Sequence, residues 1–217
     1  MSDIHPMNIL VVGATGRTGR LVQQYALEAG HHVTGVARSM EGNFGKAHER
    51  QTRKALDVRY AGSVKAVVAG HDAIISTLGA KGEFETIYKG IDNIVKAMQA
   101  HGIKRIISVG GSGVLEHEDG GVRYEQDGFP PVLVPAARAH FKAYEILKAS
   151  GLDWTFVAPP FTPEGKRTGE YVTATDKHPE NAKLEISVED LADFCIRELH
   201  DPQYIGHRVG IAYPEGS

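Results

Sequence analysis

The chain has 217 residues, of which 41% are hydrophobic, and this length is sufficient for one well-buried core. We therefore expect a single domain over residues 1–217. The formal net charge is −3, and acidic and basic residues are interspersed, so the chain lacks the basic stripe that nucleic-acid binding requires. We expect no nucleic-acid partner.

The cysteine and histidine residues indicate whether disulfides, a nucleophilic thiol or a metal site can be expected. The one cysteine, Cys195, allows no internal disulfide, and its apolar neighbours predict a buried thiol rather than a nucleophile. The eleven histidines are scattered, and we expect no metal site. No apolar run approaches the roughly 20 residues of a membrane helix. The sequence therefore predicts a cytoplasmic protein without a membrane partner.

Apolar runs of strand length alternate with helical patterns along the whole chain. The predicted strands cover residues 7–12, 32–37, 54–57, 72–78, 104–109, 154–157, 171–174 and 207–211. The predicted helices cover residues 17–29, 64–69, 84–100, 135–150 and 188–199. This alternation implies right-handed crossovers, and it predicts an α/β fold: a doubly wound parallel sheet with helices on both faces.

Two segments do not fit the regular alternation. Residues 114–134 are charged and rich in turn residues, and they are too long for an ordinary connection. A second irregular loop follows the sixth predicted strand. Because such loops often carry function, we predict substrate-covering segments around residues 112–135 and 159–175.

The first predicted strand leads directly into three glycines, Gly13, Gly16 and Gly19, and then into a helix. The first glycine permits a sharp turn, the second lets the backbone approach a pyrophosphate, and the third lets the helix pack closely on the strand. The pyrophosphate would then bind free N–H groups at the positive end of the helix dipole. The motif predicts a Rossmann-like dinucleotide site, to which Thr15, Arg17 and Thr18 also belong.

The second strand indicates which dinucleotide is bound. In NAD-selective sites an acidic residue at the tip of this strand accepts hydrogen bonds from the ribose 2′-OH. Here the tip carries Arg38, whose guanidinium suits a 2′-phosphate, and Arg17 can share that charge. NADP(H) is therefore favoured, although Glu41 lies near enough to keep NAD(H) as an alternative. A solvated strand-end charge is the other interpretation of Arg38.

Three stretches together resemble the atypical short-chain dehydrogenase/reductase group: residues 13–19 (GATGRTG), 72–79 (DAIISTLG) and 150–157 (SGLDWTFV), the last before Pro159 and Pro160. Their order and spacing are most similar to the small NAD(P)H-binding reductases related to biliverdin-IXβ reductase, also called flavin reductase. The resemblance covers nearly the whole chain. The same scaffold also serves epimerase-like proteins and non-catalytic cofactor sensors.

The resemblance also implies roles for particular residues. It places Asp57 near the adenine and Thr77, Leu78 and Gly79 beside the cofactor. The relatives that it indicates reduce flavins or linear tetrapyrroles. Such acceptors take hydride directly and draw their proton from solvent, so they need no tyrosine acid.

The catalytic candidates are Ser112, Lys142 and Tyr144. Short-chain dehydrogenases use a serine and a Tyr-x-x-x-Lys pair, and Tyr144 with Lys148 matches that spacing. The match lies near the end of its helix, however, and the resemblance aligns Lys142 with the family's lysine. Lys142 and Tyr144 are about 200° apart around a helix, so they cannot both face one site. The spacing of Tyr144 with its apolar neighbours is typical of core packing. Ser112 follows the fifth strand, where either a substrate contact or a turn serine is expected.

His140, Phe161 and Thr162 are predicted substrate contacts, and Arg167 on the same loop as the latter two is a further candidate cover. A pKa near neutrality would suit His140 as a proton donor. The leading hypothesis is an NADPH-dependent reductase of a small planar acceptor such as a flavin, quinone or tetrapyrrole. A carbonyl reductase or epimerase-like enzyme of the same group and a non-catalytic NADP(H) sensor are the alternatives. The sequence does not indicate whether the protein is a monomer or an oligomer.

Overall fold

The computed structural model describes residues 5–79 and 82–216. Residues 1–4, 80, 81 and 217 of the predicted domain lie outside the described residues. The strands are β1 Asn8–Val12, β2 His32–Ala37, β3 Gln51–Ala55, β4 Ala73–Ser76, β5 Arg105–Val109, β6 Asp153–Ala158, β7 Val172–Thr175 and β8 His207–Ala212. The helices are α1 Arg17–Glu28, α2 Ala61–Val68, α3 Glu85–His101, α4 Val134–Lys148 and α5 Val188–His200. Short 3₁₀ turns cover Ser112–Val114, Arg123–Glu125 and Pro131–Leu133.

The strands form one sheet in the order β3-β2-β1-β4-β5-β6-β8-β7. The first six positions follow the 3-2-1-4-5-6 order of the doubly wound dinucleotide-binding fold. The predicted α/β fold class is therefore confirmed. The strand order reverses between β1 and β4, which is the point where ligands bind in open sheets of this kind.

Strand β7 departs from the predicted parallel arrangement, because it pairs antiparallel with β8 at the edge of the sheet. A parallel strand requires a crossover that returns the chain to the end of the sheet at which the parallel strands begin. Residues 159–171, between β6 and β7, contain no helix to make that return. Strand β7 therefore starts at the end of the sheet at which β6 finishes, and it runs in the opposite direction to β6 and β8.

Helices cover both faces of the sheet. Alternate side chains of β1 point to opposite faces, so Leu10 packs with α2, α3 and α4 on one side. Ile9 and Val11 pack with α1 and α5 on the other side. Cys195 of α5 is buried in this second layer, and desolvation raises the pKa of its thiol to about 12. The prediction of a buried thiol is confirmed.

The third strand is the element whose predicted position differs most from the structure. It covers Gln51–Ala55 instead of residues 54–57. As an outer strand it consists mainly of polar, partly exposed side chains, and an apolar run cannot mark it. The helical stripe predicted for α3 is observed: Ile87, Ile91 and Met98 are all buried on one face.

Strand register aligns the residues that follow the parallel strands. Val12 pairs with Val36 and with Ser76, and Ser76 pairs with Ser108. Val109 in turn pairs with Val157. The loops after β1, β2, β4, β5 and β6 consequently meet at one edge of the sheet, its carboxyl edge.

Candidate functional site

The turn after β1 requires glycine for steric reasons. Gly13 has a φ of 81°, and a Cβ atom there would lie 2.7 Å from the Thr77 carbonyl oxygen. A Cβ atom at Gly19 would lie 2.3 Å from the Gly13 carbonyl oxygen. At Gly16 the corresponding distance to the Gly13 oxygen is 3.2 Å. A side chain at Gly13 or Gly19 would therefore clash with neighbouring backbone, whereas the space at Gly16 is merely tight.

Helix α1 begins with unpaired backbone donors. Within the described part of the chain, the N–H groups of Arg17, Thr18 and Gly19 have no protein acceptor. Gly16 caps the helix without a side-chain hydrogen bond, and the first turn contains no acidic residue. Free amides at the positive end of the helix dipole form a site for an anion such as a pyrophosphate.

Thr77 joins the ends of β1 and β4. Its backbone N–H and its Oγ1 both donate to the Val12 carbonyl oxygen, at 2.8 and 2.9 Å. Oγ1 also lies 3.3 Å from the Gly13 oxygen. The threonine therefore holds the glycine turn against the neighbouring strand, at the point where the strand order reverses.

A cleft of about 530 Å³ opens in front of this turn, and we call it the glycine-turn cleft. Nine of the predicted cofactor residues line it: Gly13, Thr15, Gly16, Arg17, Thr18, Arg38, Thr77, Leu78 and Gly79. Gly19 does not line the cleft. Asp57 does not line the cleft either, although its neighbours Leu56 and Val58 do.

Ion pairs form a chain along the rim of the glycine-turn cleft. The Arg38 guanidinium lies 2.5 Å from a carboxylate oxygen of Glu83, and both side chains are about half exposed, at 53% and 54%. Arg59 lies 2.6 Å from Asp57 and 3.9 Å from Glu83. The hydrogen bonds from Arg59 hold the pKa of Asp57 below its usual value. Glu41 is not among the residues that line the cleft, so the acidic residue beside Arg38 is Glu83.

A second cleft of about 730 Å³ lies further along the carboxyl edge, and we call it the apolar cleft. It is built by the loop after β5, the start of α4 and the loop after β6. All four of Ser112, His140, Phe161 and Thr162 line it. Most of its other wall is apolar and comes from Phe129, Pro130, Leu133, Ala136, Ala137, Pro159, Pro160 and Leu184.

Two hydrogen bonds fix the walls of the apolar cleft. The Ser112 N–H donates to the Pro159 oxygen at 2.8 Å and thereby joins the loops after β5 and β6. Arg17 donates to the Thr162 oxygen, also at 2.8 Å. Because Arg17 lines one cleft and Thr162 the other, this second bond connects the two clefts.

His140 lies in the wall of the apolar cleft, with its ring edge-on to Phe156 at a centroid distance of 6.4 Å. Desolvation lowers the pKa of His140 to about 4. The near-neutral pKa that would suit a proton donor is therefore not found here, because burial disfavours the charged form of the ring. His140 is a neutral imidazole at physiological pH, able to donate one hydrogen bond and accept another.

The structure does not bring the three catalytic candidates together. Tyr144 lies one helical turn beyond His140, buried edge-on against Trp154 and Phe156. It lines a different cavity. Lys142 is exposed on another side of α4, with its Nζ atom 4.9 Å from the centre of the Tyr88 ring. Of the three candidates, Ser112 alone lines the apolar cleft.

Only part of the predicted covering loop after β6 faces the apolar cleft. Arg167 does not, so that suggestion was wrong: its guanidinium binds Asp193 at 2.7 Å and stacks on Tyr25 at 4.0 Å. Asp190 of α5 accepts hydrogen bonds from the backbone of Thr168 and Gly169, both at 2.8 Å. Buried carboxylates of α5 therefore hold this half of the loop away from the cleft.

Several lining residues were missed in the sequence. Glu83 lines the glycine-turn cleft with Arg59 3.9 Å from it, and Arg123 and Leu184 line the apolar cleft. Arg123 falls inside the predicted covering segment, but nothing in its local pattern separates it from the other charged residues there. Leu184 precedes α5 in an irregular stretch that has no periodic signal.

Residues 5–79 and 82–216 contain neither a metal-ligand cluster nor a membrane-spanning helix. No group of three or more His, Cys, Asp or Glu side chains among them could hold a metal ion. None of the helices there combines the length and apolar character needed to cross a membrane.

The fold and the glycine-turn cleft define a nucleotide-binding protein of the Rossmann class. Residues 13–202 match the family model described as NAD(P)H-binding, and the chain belongs to that family. It is accordingly an oxidoreductase of the NAD(P)H-binding type.

Relatives that match nearly the whole chain carry different names. The chain is 27% identical to YwnB of Bacillus subtilis (strain 168), over 94% of this chain and 98% of the relative. A crystal structure from Streptococcus pneumoniae TIGR4, named "a putative NADH-flavin reductase", is 27% identical with a TM-score of 0.83, over 95% of this chain and 99% of the other. A structure from Bacteroides thetaiotaomicron, named a "putative epimerase", is 29% identical with a TM-score of 0.87, over 98% and 100%.

Proposed function

We propose that this protein is an NADPH-dependent reductase that transfers hydride to a small planar acceptor, such as a flavin, a quinone or a tetrapyrrole. The observation that carries the proposal is the apolar cleft beside the glycine-turn cleft, connected to it through Arg17 and Thr162. A mostly apolar cleft with a few polar groups suits a flat, largely apolar molecule. The "NADH-flavin reductase" name of the Streptococcus protein supports the same class of acceptor.

The residues of the glycine-turn cleft fit a dinucleotide. Its close-packed glycines and free helix N–H groups match a pyrophosphate, which the Thr15–Gly19 segment would hold. Arg38, with Arg17 nearby, would bind a 2′-phosphate and so favour NADP(H) over NAD(H). When bound, the reduced nicotinamide supplies the hydride.

The residues of the apolar cleft would orient the acceptor and exclude water. Phe129 and Phe161 present rings to the cleft, and prolines 159 and 160 add rigid apolar surface. Desolvation and orientation of this kind lower the barrier to transfer between two bound molecules. Neutral His140 donates a hydrogen bond to a carbonyl or ring nitrogen of the acceptor, and the Ser112 hydroxyl offers a second one.

The position of Tyr144 supports a reaction without a tyrosine acid. Carbonyl reduction by the short-chain dehydrogenase mechanism needs a hydroxyl beside the developing alkoxide. The ring of Tyr144 is buried against Trp154 and Phe156, outside the apolar cleft. A flavin or quinone can take its proton from solvent after hydride transfer, and such acceptors match the groups that the cleft offers.

The test is acceptor-dependent oxidation of NADPH, followed as loss of absorbance at about 340 nm, with panels of flavins, quinones and carbonyl compounds. We expect turnover with at least one planar acceptor and weaker turnover with simple carbonyls. His140→Ala should lower kcat/KM by roughly tenfold, the value of one hydrogen bond to the acceptor. Arg138→Ala, at an exposed position of the same helix outside the cleft, is the control. Binding of NADPH without oxidation by any acceptor would refute the reductase and favour a cofactor sensor.

A further inference from the structure

Arg123 is a charged residue in the wall of the apolar cleft. It lies in the 3₁₀ turn Arg123–Glu125, and its backbone N–H donates to the Leu115 oxygen at 2.9 Å. This bond fixes the main chain from which the side chain projects. The residue is partly buried, and desolvation lowers the pKa of its guanidinium. An arginine remains charged even so.

The guanidinium of Arg123 has no protein partner among residues 5–79 and 82–216. It takes part in no ion pair or side-chain hydrogen bond there, and burial is the single cause of its pKa shift. Two other arginines of low exposure are paired: Arg105 with Glu198 at 3.0 Å and Arg208 with Glu116 at 2.5 Å. A partly buried cation without a protein partner has lost part of its hydration, and an anion that binds it compensates that loss.

The charged and titratable groups around Arg123 do not neutralise it. Glu116, the nearby acid of the same segment, is engaged by Arg208. Asp127 lines the same cleft but forms no ion pair with Arg123. His178 is close enough for the positive charge of Arg123 to contribute to lowering its pKa. The cleft therefore presents a guanidinium that no carboxylate pairs with, in a wall that is mainly apolar.

We propose that Arg123 binds an anionic substituent, a carboxylate or a phosphate, on the acceptor that occupies the apolar cleft. The proposal rests on the proposed function for the identity of the cleft. A guanidinium presents a planar fork of donors that matches both kinds of anion. The acceptor is thus a flat apolar molecule with an acidic group at one end, which Arg123 orients while the apolar wall holds the ring system.

The experiment measures binding without turnover, by isothermal titration calorimetry of the protein saturated with NADP⁺. Two matched ligand pairs differ in the anion: FMN against riboflavin for a phosphate, and 2-naphthoate against 2-naphthamide for a carboxylate. We expect the wild type to bind the anionic member of at least one pair roughly tenfold more tightly or better, as a hydrogen bond to a charged group implies. The pair that shows the preference identifies the anion.

Variants assign this preference to Arg123. Arg123→Gln should abolish it, whereas Arg123→Lys should keep part of it, because a lysine retains the charge but not the fork. Lys104→Gln removes one exposed positive charge before β5, at the opposite edge of the sheet, and should leave the preference unchanged. Should Arg123→Gln not fold, Arg123→Lys carries the test through its reduced preference.

Three results would overturn the proposal: equal affinity within both pairs, a preference that survives Arg123→Gln, or no binding of any of the four ligands. Failure of the proposed function gives a different result. If the anion preference depends on Arg123 but no acceptor oxidises NADPH, the anion site stands and the reductase does not. If NADPH is oxidised without any anion preference, the reductase stands and the role of Arg123 is refuted.

Discussion

The ion pair between Arg38 and Glu83 leads to a prediction about cofactor choice. The two side chains are 2.5 Å apart and each is about half exposed, so the pair is worth no more than about 1 kcal/mol. A 2′-phosphate must share Arg38 with Glu83, and the carboxylate also repels it. Glu83→Gln removes both effects and should tighten NADPH binding by up to about fivefold, while NADH binding stays unchanged.

The complementary variant, Arg38→Ala, removes the proposed phosphate ligand. A hydrogen bond between charged groups contributes about 1.5–3 kcal/mol, and the exposure of Arg38 favours the lower value. NADPH affinity should therefore fall roughly tenfold, and NADH affinity by less than about twofold. The measurement is the ratio of the two dissociation constants by calorimetry at low ionic strength.

A matched control is available at the first residue of α3. Glu85→Gln breaks an exposed ion pair with Lys89, also 2.5 Å apart, outside the glycine-turn cleft. It should leave the NADPH to NADH ratio unchanged. Equal losses of both cofactors in Arg38→Ala would show that Arg38 does not read the 2′-phosphate. Weaker NADH binding in Glu83→Gln would instead assign Glu83 to the ribose hydroxyls and reverse the preference.

The remaining predictions concern the glycine turn, α4 and a buried histidine. Gly19→Ala should abolish cofactor binding, because its Cβ would lie 2.3 Å from the Gly13 oxygen. The same clash should lower the free energy of unfolding by about 1–3 kcal/mol, measured by chemical denaturation. Gly62→Ala is the control: its Cβ would meet nothing within 4 Å, so the variant should be neutral or stabilising. Tyr144→Phe should keep kcat/KM within about twofold, and a hundredfold loss would restore the tyrosine as general acid. Desolvation, helped by the charges of His200 and Arg50, lowers the pKa of His31 to about 4 from 6.5. The unfolded chain therefore takes up the proton first, and the unfolding free energy should fall by up to about 1.4 kcal/mol per pH unit between pH 6.5 and 4. His31→Gln should reduce that slope, and an unchanged slope would contradict the assignment.

The geometry of the glycine turn could be predicted because its constraints are local. The sharp turn at Gly13 and the close approach at Gly19 depend on residues within one strand, one turn and one helix. Such constraints appear directly as residue types at fixed spacing. The buried stripe of α3 was predictable for the same reason, since helical periodicity lies within the segment itself.

The ion pairs around Arg38 could not be predicted in this way. Glu83 follows β4 and pairs with Arg38, while Arg59 follows β3 and approaches Glu83, and these residues meet only because three loops end at one edge of the sheet. Their positions depend on loop conformations rather than on any repeat in the sequence. The lowered pKa of His140 could not be predicted on similar grounds, because its surroundings include Phe156 on another element.

The acceptor half of the site is separable from the fold that carries it. Its walls belong to loops held by contacts such as Arg17 to Thr162 and Ser112 to Pro159, while the core clusters lie beneath, between sheet and helices. If the proposed function holds, changes at Phe129, Leu184 or Arg123 would alter the acceptor that fits without disturbing the glycine turn. Such a separation is consistent with relatives of closely similar fold that carry reductase and epimerase names. The residues of the apolar cleft, rather than overall similarity, are thus the place where the substrate of each member has to be determined.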